Sequence, residues 1–336
     1  MNGVDVSVLI PVFNEARILR ETASAMFAQR FEGEMEFLFI DGRSTDETPA
    51  ILESLRRQDP RVRLLDNPAR LQGAALNLGL RSARGEFVVR MDAHAFYPPD
   101  YVALGVERLR QGDVTWVAGP QISAGIDAGS RRVATAMRSP LGVGGARFRS
   151  MPDEEIETDS GFTGVWRRRT LIEHGGWDEG ATPNEDGELA ARIRARNGRI
   201  VCLPRMAARS ITRASVRSLA RQYWRYGMYR ARTVIDYPRS LRPSQLLPPA
   251  LVAIVPAALI APGPLAWVAR AALGLYALTV LVESIRVGGA TGPRDALGLL
   301  LVFPTMHLCW GAGFLVGAAR FAPGRRRRRR ARKKPL

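Results

Sequence analysis

Asp92 and His94 are the side chains in this sequence whose types and spacing best suit a divalent cation. They are two positions apart and follow residues 86–91, an apolar run that predicts a strand. Side chains at i and i+2 of a strand point the same way, so both could bind one ion at the strand's end. Such an ion would neutralise charge that develops on a leaving diphosphate. An imidazole ligand favours manganese over magnesium. A surface aspartate beside a structural histidine is the alternative interpretation.

A second candidate for ligand binding is Asp41, which ends another apolar run at residues 35–40. A carboxylate at this place can accept a hydrogen bond from a nucleobase N–H group or from a ribose hydroxyl. The sequence equally allows Asp41 to be a turn residue before Gly42. Both interpretations stay open from the residues alone.

Glu185 and Asp186 are the candidates for a general base, because they open a helical pattern at residues 185–196. Transfer to a hydroxyl needs a group near the acceptor oxygen that takes its proton. Hydrolytic glycosidases usually need two carboxylates, but a diphosphate that leaves with metal help requires one base. Acidic residues are also favoured at helix N-termini by the helix dipole alone, which is the alternative role.

An amphipathic helix is predicted over residues 215–232, a segment rich in arginine and aromatic residues. Within it, Arg225 could hold a diphosphate, and aromatic side chains such as Tyr226 could stack on a sugar ring. The alternative is an aromatic and basic belt at a membrane–water interface. The two roles are compatible.

These residues need a scaffold that brings strand ends together, and the first half of the chain predicts one. Short apolar runs alternate with helical patterns, which indicates a doubly wound, mostly parallel α/β sheet. Ligands of such sheets bind beyond the carboxyl ends of the strands, where Asp41 and Asp92 lie. The predicted strands cover residues 6–10, 35–40, 62–65, 86–91, 115–118 and 199–203, and the predicted helices cover residues 15–29, 44–57, 73–83, 98–111, 185–196 and 215–232.

Two local patterns refine this scaffold. The segment S-T-D-E at residues 44–47 predicts a capping box that opens the second helix. Between residues 124 and 159 the periodicity weakens, and Gly142, Gly144 and Gly145 predict a mobile loop region.

Past Pro243 the composition becomes that of a membrane region. Residues 246–269 contain five prolines and no charge, residues 265–282 carry only Arg270, and residues 296–319 carry no charge. A crossing helix needs about 20 apolar residues, so the last block is the strongest candidate. The first two blocks predict a hairpin, or one crossing and an interfacial helix. The predicted organisation is a catalytic domain at 1–232, a transmembrane region at 246–319 and a basic tail at 320–336.

The net charge of +17 is concentrated in that tail, where nine positive charges lie between residues 325 and 334, which leaves 17 − 9 = +8 elsewhere. A basic run beside a membrane segment is expected to meet anionic lipids, and nucleic-acid binding is the disfavoured interpretation. No signal-like segment opens the sequence, so both ends are expected in the cytoplasm. This requires an even number of crossings. Two are predicted, with the proline-broken segment partly in the interface.

Five segments, in order, resemble motifs of family 2 glycosyltransferases over about residues 4–230. The third resembles the variant metal motif of succinoglycan-type glucosyltransferases. The fifth resembles the Q-x-x-R-W box of processive relatives, with Tyr226 in place of Trp. The segments are V-S-V-L-I-P-V-F-N-E at 6–15, D-G-R-S-T-D-E-T at 41–48, R-M-D-A-H-A at 90–95, G-W-D-E at 176–179 followed by N-E-D at 184–186, and Q-Y-W-R-Y at 222–226.

The resemblance implies the GT-A nucleotide-diphosphosugar transferase fold followed by a helical membrane region. It implies an inverting hexosyltransferase with a divalent metal, Mn²⁺ or Mg²⁺, that makes a β-linkage from an α-linked donor. The implied site residues are Pro11, Glu15, Asp41 and Asp92 for the nucleotide sugar, Asp92 and His94 for the metal, Asp186 with Glu185 for catalysis, and Gln222, Arg225 and Tyr226 for the acceptor or diphosphate.

The leading hypothesis is transfer from a nucleotide-diphosphate sugar, by analogy a UDP-sugar, to a lipid-linked or growing saccharide in surface polysaccharide synthesis. The enzyme would be a multi-pass protein of the inner membrane with a cytoplasmic catalytic domain. Two alternatives are open: transfer to polyprenyl phosphate itself, and a non-catalytic membrane scaffold with a degenerate sugar-nucleotide domain. A dehydrogenase is excluded by the lack of G-x-G-x-x-G after the first strand.

Overall fold

The computed structural model describes residues 3–149, 151–181, 183–212, 215–289 and 291–324, without the side chains of residues 143 and 147. The described residues form two compact units. The first, here the catalytic unit, comprises residues up to 122 and residues 147–210. The second, here the helical unit, comprises residues 123–146 and the residues from 211 onward. The helical unit thus takes in segments that the predicted domain boundary assigns to the catalytic domain, and the basic run at 325–334 lies outside the described residues.

The catalytic unit is built on an eight-stranded sheet. The strands of the chain are β1 (Val6–Val12), β2 (Met35–Asp41), β3 (Val62–Asp66), β4 (Phe87–Arg90), β5 (Ala95–Phe96), β6 (Trp116–Gly119), β7 (Gln121–Ala124), β8 (Ile156–Glu157), β9 (Phe162–Arg167), β10 (Ile200–Cys202) and β11 (Ala208–Ile211). The sheet has the order β3-β2-β1-β4-β9-β6-β10-β8. All six predicted strands are present, and the mostly parallel character is confirmed for β3-β2-β1-β4 and β6-β10.

The sheet is buried on both faces, which explains why its strands are continuous apolar runs. In β1, Val8 and Ile10 pack in the core on one face of the sheet. Leu9 packs in a second core on the other face, with Leu38 of β2 and Val88 of β4. Helices cover both faces. The helices of the chain are α1 (Leu19–Phe27), α2 (Thr48–Gln58), α3 (Gln72–Ser82), α4 (Tyr101–Arg110), α5 (Ala128–Arg138), α6 (Pro140–Val143), α7 (Arg168–Glu173), α8 (Glu185–Arg194), α9 (Val216–Asp236), α10 (Leu247–Ile260), α11 (Gly263–Gly288) and α12 (Pro293–Phe321).

The sequence did not predict β9, which lies antiparallel between β4 and β6 in the middle of the sheet. Its residues F-T-G-V-W-R lack a clear apolar period, and Thr163 and Gly164 have φ values of 50° and 135°. A Cβ on Gly164 would lie 2.2 Å from Trp116 Nε1, so the glycine is required by close packing.

The predicted capping box at residues 44–47 is wrong, because α2 begins at Thr48 and its N-cap, Glu47, makes no side-chain capping bond. The polar side chains of this segment bind a neighbouring loop instead. Ser44 Oγ accepts from the backbone N–H of Asn14 at 2.9 Å. Thr48 Oγ1 accepts from the backbone N–H of Glu15, also at 2.9 Å.

The loop predicted for residues 124–159 is also wrong in part, since α5 and α6 lie within it. Helix α5 begins at a capping box in which Asp127 accepts from the N–H of Ser130. Its apolar positions Val133 and Met137 join the core of the helical unit, which short-range periodicity cannot reveal. Gly144 and Gly145 have positive φ and mark the end of α6.

In the helical unit, α9 and α12 approach so closely that only glycine fits between their backbones. A Cβ on Gly313 would lie 2.1 Å from the carbonyl oxygen of Trp224. A Cβ on Gly317 would lie 2.3 Å from that of Met228. A Cβ on Gly227 of α9 would in turn lie 1.9 Å from the carbonyl oxygen of Trp310 on α12. Small residues permit this backbone contact, as in membrane helix pairs.

Candidate active site

The carboxyl ends of three neighbouring strands bring the predicted nucleotide and metal residues to one edge of the sheet. Strand β1 pairs in parallel with both β2 and β4. Asp41 ends β2, Asp92 follows β4, and Pro11 and Glu15 lie at and just beyond the end of β1. The predicted placement at strand ends is therefore confirmed, while the roles of these residues remain predictions.

Arg90, the last residue of β4, is the centre of the site. It is buried, with a side-chain exposure of 3%. Its Nε donates to Asp92 Oδ1 at 2.9 Å, and its Nη1 donates to Asp186 Oδ1 at 2.5 Å. Nη1 also lies 3.5 Å from Glu185 Oε1. One guanidinium thus joins the predicted metal ligand to the predicted base.

Gln72, at the start of α3, completes this cluster. In the amide orientation that satisfies both neighbours, its oxygen accepts from Arg90 Nη2 at 2.6 Å and its nitrogen donates to Glu185 Oε1 at 3.1 Å. Arg90 therefore uses all three of its nitrogens, and its planar fork is fixed from three sides.

Burial and charge act in opposite directions on this cluster. Burial lowers the pKa of Arg90, but the charges of Asp186, Asp92 and Glu185 outweigh burial and hold that pKa well above its ordinary value. Burial, followed by the charge of Asp186, raises the pKa of Glu185 to about 7, against the opposing effect of Arg90. Burial also raises the pKa of Asp186. The guanidinium is thus permanently charged and compensates carboxylates that have lost most of their water.

Exposure separates the two adjacent acids of α8. The side chain of Asp186 is 21% exposed, whereas that of Glu185 is 3% exposed. Among the described residues, Glu185 Oε2 is buried with no hydrogen-bond partner. Asp186 is therefore the more accessible of the two acids, and Glu185 is an internal partner of Arg90 and Gln72.

A rigid turn holds the start of α8. Asn77 of α3 binds the backbone of Trp177 in both directions, donating to its carbonyl at 2.8 Å and accepting from its N–H at 2.9 Å. Arg192 donates to the carbonyl of Gly176 and to Glu188 Oε2, both at 2.7 Å. The G-W-D-E segment is thus tied by hydrogen bonds to both α3 and α8.

His94 and Glu15 form a second pair at the same edge. His94 Nδ1 lies 3.1 Å from Glu15 Oε1, with side-chain exposures of 33% and 22%. A carboxylate on one ring nitrogen orients an imidazole whose other nitrogen ligates a metal. This geometry gives Glu15 a place beside the predicted metal ligand, although the resemblance assigns it to the nucleotide.

Asp92 and His94 lie beyond the end of β4, with His94 in a turn, so strand alternation does not align their side chains as the sequence predicts. A divalent cation held by these two residues would have to take the rest of its coordination from a diphosphate. Asp92 uses one oxygen on Arg90, and the hydrogen bonds of the described residues leave Oδ2 for another partner. Within the described ranges, no group of three or more His, Cys, Asp or Glu side chains is arranged to hold a metal ion. A cage made of protein ligands alone is therefore not what these residues form. A carboxylate suits either Mg²⁺ or Mn²⁺, whereas an imidazole ligand favours Mn²⁺ over Mg²⁺.

The predicted nucleotide loop is held by hydrogen bonds between two turns. Asp41 Oδ1 accepts from Ser44 Oγ at 2.6 Å, and Asn14 Oδ1 accepts from the N–H of Thr45 at 2.8 Å. Arg43 has a φ of 58° and forms an exposed ion pair with Asp66 at 2.9 Å. The extra residue in the D-G-R-S-T segment is thus accommodated by a left-handed turn that points its side chain to solvent.

Gln222, Arg225 and Tyr226 lie on α9 in the helical unit. Gln222 Nε2 donates to Tyr226 Oη at 2.7 Å, so the structure brings these two together on one side of the helix. Arg225 is exposed. Their proposed contacts with acceptor or diphosphate remain predictions.

Arg90 and Gln72 are the site residues that the sequence analysis missed. Arg90 carried a usable signal, because it lies directly after the buried apolar run F-V-V of β4. A charged residue in a strand buried on both faces must be paired, which predicts carboxylate partners nearby. Gln72 gave no such signal, since its role depends on the position of α3.

Comparisons with known proteins identify the family of this chain. Residues 7–175 match the sequence profile of glycosyl transferase family 2. Succinoglycan biosynthesis protein ExoA of Rhizobium meliloti is 30% identical over 311 residues, covering 91% of this chain and 93% of that protein. A beta-monoglucosyldiacylglycerol synthase from Nostoc is 26% identical over 253 residues, covering 69% of this chain and 50% of the synthase.

Solved structures show the same fold. A mannosyltransferase from Pyrobaculum calidifontis, solved with GDP-Man and Mn²⁺, superposes with a TM-score of 0.62 at 20% identity, covering 94% of this chain and 87% of that one. The fold is thus that of the GT-A glycosyltransferases. The chain belongs to glycosyl transferase family 2 and is ExoA-like.

Proposed function

We propose that this enzyme transfers a hexose from a nucleotide-diphosphate sugar, with UDP-sugars as first candidates, to a lipid-linked or growing saccharide in surface polysaccharide synthesis. The observation that carries this proposal is the contact of one buried guanidinium with both Asp92 and Asp186. It supports a donor site and a base site at fixed separation. The similarity to a succinoglycan biosynthesis protein over 91% of the chain supports the saccharide acceptor.

In the proposed reaction, Asp41 holds the nucleoside at the end of β2, and Asp92 and His94 hold the cation beside the diphosphate. When bound, a divalent cation neutralises the charge that the leaving diphosphate gains. Asp186 takes the proton of the acceptor hydroxyl. The acceptor oxygen forms a bond to the sugar's anomeric carbon as the bond from that carbon to the diphosphate oxygen breaks. A single displacement inverts the configuration, so an α-linked donor yields a β-linkage.

The direct test incubates membranes that contain the enzyme with a panel of nucleotide sugars and manganese, followed by identification of the labelled lipid. We expect a labelled lipid-linked saccharide with one donor, and none with the Asp186→Asn variant. Label on polyprenyl phosphate itself, retained in Asp186→Asn, would instead establish the lipid-phosphate reaction, because an acidic phosphate needs no strong base. No metal-dependent nucleotide binding at all would favour the scaffold.

Membrane attachment is part of the same proposal. Three helices of the described chain are long and apolar enough to cross a membrane: Pro243–Ile260, Gly263–Gly288 and Pro293–Phe321. The turn between α10 and α11 carries no charge. The turn between α11 and α12 is flanked by Arg286 and Arg294. The positive-inside rule therefore favours the first turn outside and the second inside.

The contacts of α12 favour an interfacial position for this helix. It packs along α9, which exposes Arg221 and Arg225. Charged side chains within the hydrocarbon are costly, by about 3 kcal/mol each at the centre on insertion scales. We therefore propose α10 and α11 as the two crossings and α12 as the interfacial helix, which reverses the sequence-based prediction that the last block crosses and the proline-broken block lies in the interface. The catalytic unit then lies on the cytoplasmic side of the inner membrane.

Cysteine labelling tests this topology. Gly263→Cys and Thr291→Cys are introduced singly into a chain whose two cysteines are replaced by serine. A membrane-impermeant maleimide added to spheroplasts, which lack any outer barrier, should label position 263 and spare position 291. Labelling of position 291 from outside would contradict the assignment.

A further inference from the structure

The central cluster of the catalytic unit contains one cation and three acids. Arg90 contacts Asp92, Asp186 and Glu185 through Nε and Nη1, and Gln72 occupies Nη2. The neighbours of Arg90 in the sheet are Leu9 on β1 and Gly164 on β9, so its side chain projects from the middle of the sheet. No rotation is open to a guanidinium held at all three nitrogens.

The distances divide the cluster into two functional arms. Nε holds Asp92 Oδ1 at 2.9 Å, on the side of the proposed metal. Nη1 holds Asp186 Oδ1 at 2.5 Å, on the side of the proposed base. Because a guanidinium is planar and rigid, the separation of the two carboxylates is set by a single side chain. Lysine, with one ammonium group, cannot reproduce both arms.

The same charge has opposite consequences for the two arms. Beside Asp186, a permanent cation orients the carboxylate and favours its ionised form, which the base needs. Beside Asp92, the cation competes with a divalent metal for the same carboxylate and repels that metal. Arg90 therefore lowers the affinity of Asp92 for the metal and positions Asp186 as the base.

We infer that Arg90 is a positioning residue that fixes Asp92 and Asp186 in one array and opposes metal binding while it aims the base. This inference rests on the proposed function. It predicts that loss of the guanidinium separates turnover from donor binding. Loss of a residue with a purely structural role would instead weaken both turnover and donor binding.

The test compares wild type with Arg90→Gln and Arg90→Lys in detergent. For Arg90→Gln, kcat should fall by about 100-fold or more, since a positioned base contributes about 10²–10⁴-fold. The Kd of UDP in the presence of Mn²⁺, measured by calorimetry, should fall by up to about tenfold, because the cation that opposes the metal is gone. Arg90→Lys should keep the weaker wild-type binding and recover only part of kcat.

Two further variants control for folding. Arg63→Gln removes a similar arginine, paired with Glu36 at 2.6 Å in the same unit, and should change neither kcat nor Kd. If Arg90→Gln does not fold, the double variant Arg90→Gln/Glu185→Gln takes its place, because it removes one charge of each sign. This variant should also lose turnover without weaker binding of UDP. Melting temperatures establish that each variant is folded.

The outcomes are distinct. A folded Arg90→Gln enzyme with kcat within about threefold of wild type overturns the inference, as does a Kd that rises by the same factor as kcat falls. A wild-type enzyme that neither binds UDP with Mn²⁺ nor transfers sugar would refute the proposed function itself, before any variant is compared.

Discussion

The two units of this protein bring polypeptide segments together by opposite means. In the catalytic unit, Arg90 draws three carboxylates from two distant segments into one buried cluster. In the helical unit, α9 and α12 meet where side chains are missing, at Gly227, Gly313 and Gly317. The first arrangement depends on charge pairing and loses its geometry when one partner is neutralised. The second depends on space and fails when volume is added.

The largest effect is expected on the metal side of the charged cluster. Asp92→Ala removes the proposed metal carboxylate and leaves Arg90 with Asp186 and Glu185. We expect turnover to fall below detection in a membrane assay with manganese, with the enzyme still folded by its melting temperature. Activity near the wild-type level in this variant would show that Asp92 is not the metal ligand.

The next largest effect is expected on the base side. Asp186→Asn keeps the shape of the side chain but cannot accept the acceptor's proton. We expect kcat for a hydroxyl acceptor to fall by about 10²–10⁴-fold. Binding of UDP with Mn²⁺ should stay within about tenfold of wild type. The control is Glu173→Gln, an exposed acid paired with Arg169, which should retain full activity. An Asp186→Asn enzyme as active as the Glu173→Gln control would show that Asp186 is not the general base.

The helical unit should respond to volume rather than to charge. Gly313→Leu places a Cβ 2.1 Å from the Trp224 carbonyl oxygen and should separate α9 from α12. Overpacking of this kind costs about 1–3 kcal/mol, so the melting temperature in detergent should fall by several degrees. Gly274→Leu is the matched control, because a Cβ there meets nothing within 4 Å. Equal melting temperatures for the two variants would contradict the close contact.

The smallest effect concerns the buried acid Glu185, whose pKa is raised by burial to about 7 from an ordinary 4.5. A raised pKa contributes stability below pH 4.5 that is lost as the pH rises through about 7. Glu185→Gln has no proton to lose, so its melting temperature relative to wild type should be higher at pH 8 than at pH 5. A difference that does not change between these pH values would show that Glu185 does not titrate in this range.

The comparison also explains what the sequence could and could not predict. The strands β1, β2 and β4 are largely apolar segments, so their positions and the acids after them were predictable from the local sequence pattern. Helix α5 and strand β9 were missed because their residues acquire a buried face only from partners far along the chain. The acids Asp92 and Asp186 could be named from the sequence. The link that Arg90 makes between them could not, because it depends on the position of α8 beside the end of β4. Glu185 and Asp186, equivalent in sequence, differ in the structure because only one side chain reaches solvent.

The most direct test of the central claim is calorimetric titration of UDP into the purified full-length enzyme, with and without Mn²⁺. We predict binding that requires Mn²⁺ in the wild type, is lost in Asp92→Ala, and is tightened in Arg90→Gln. Binding that is indifferent to the metal, or that survives in Asp92→Ala, would contradict a cation held by Asp92 within the array that Arg90 fixes.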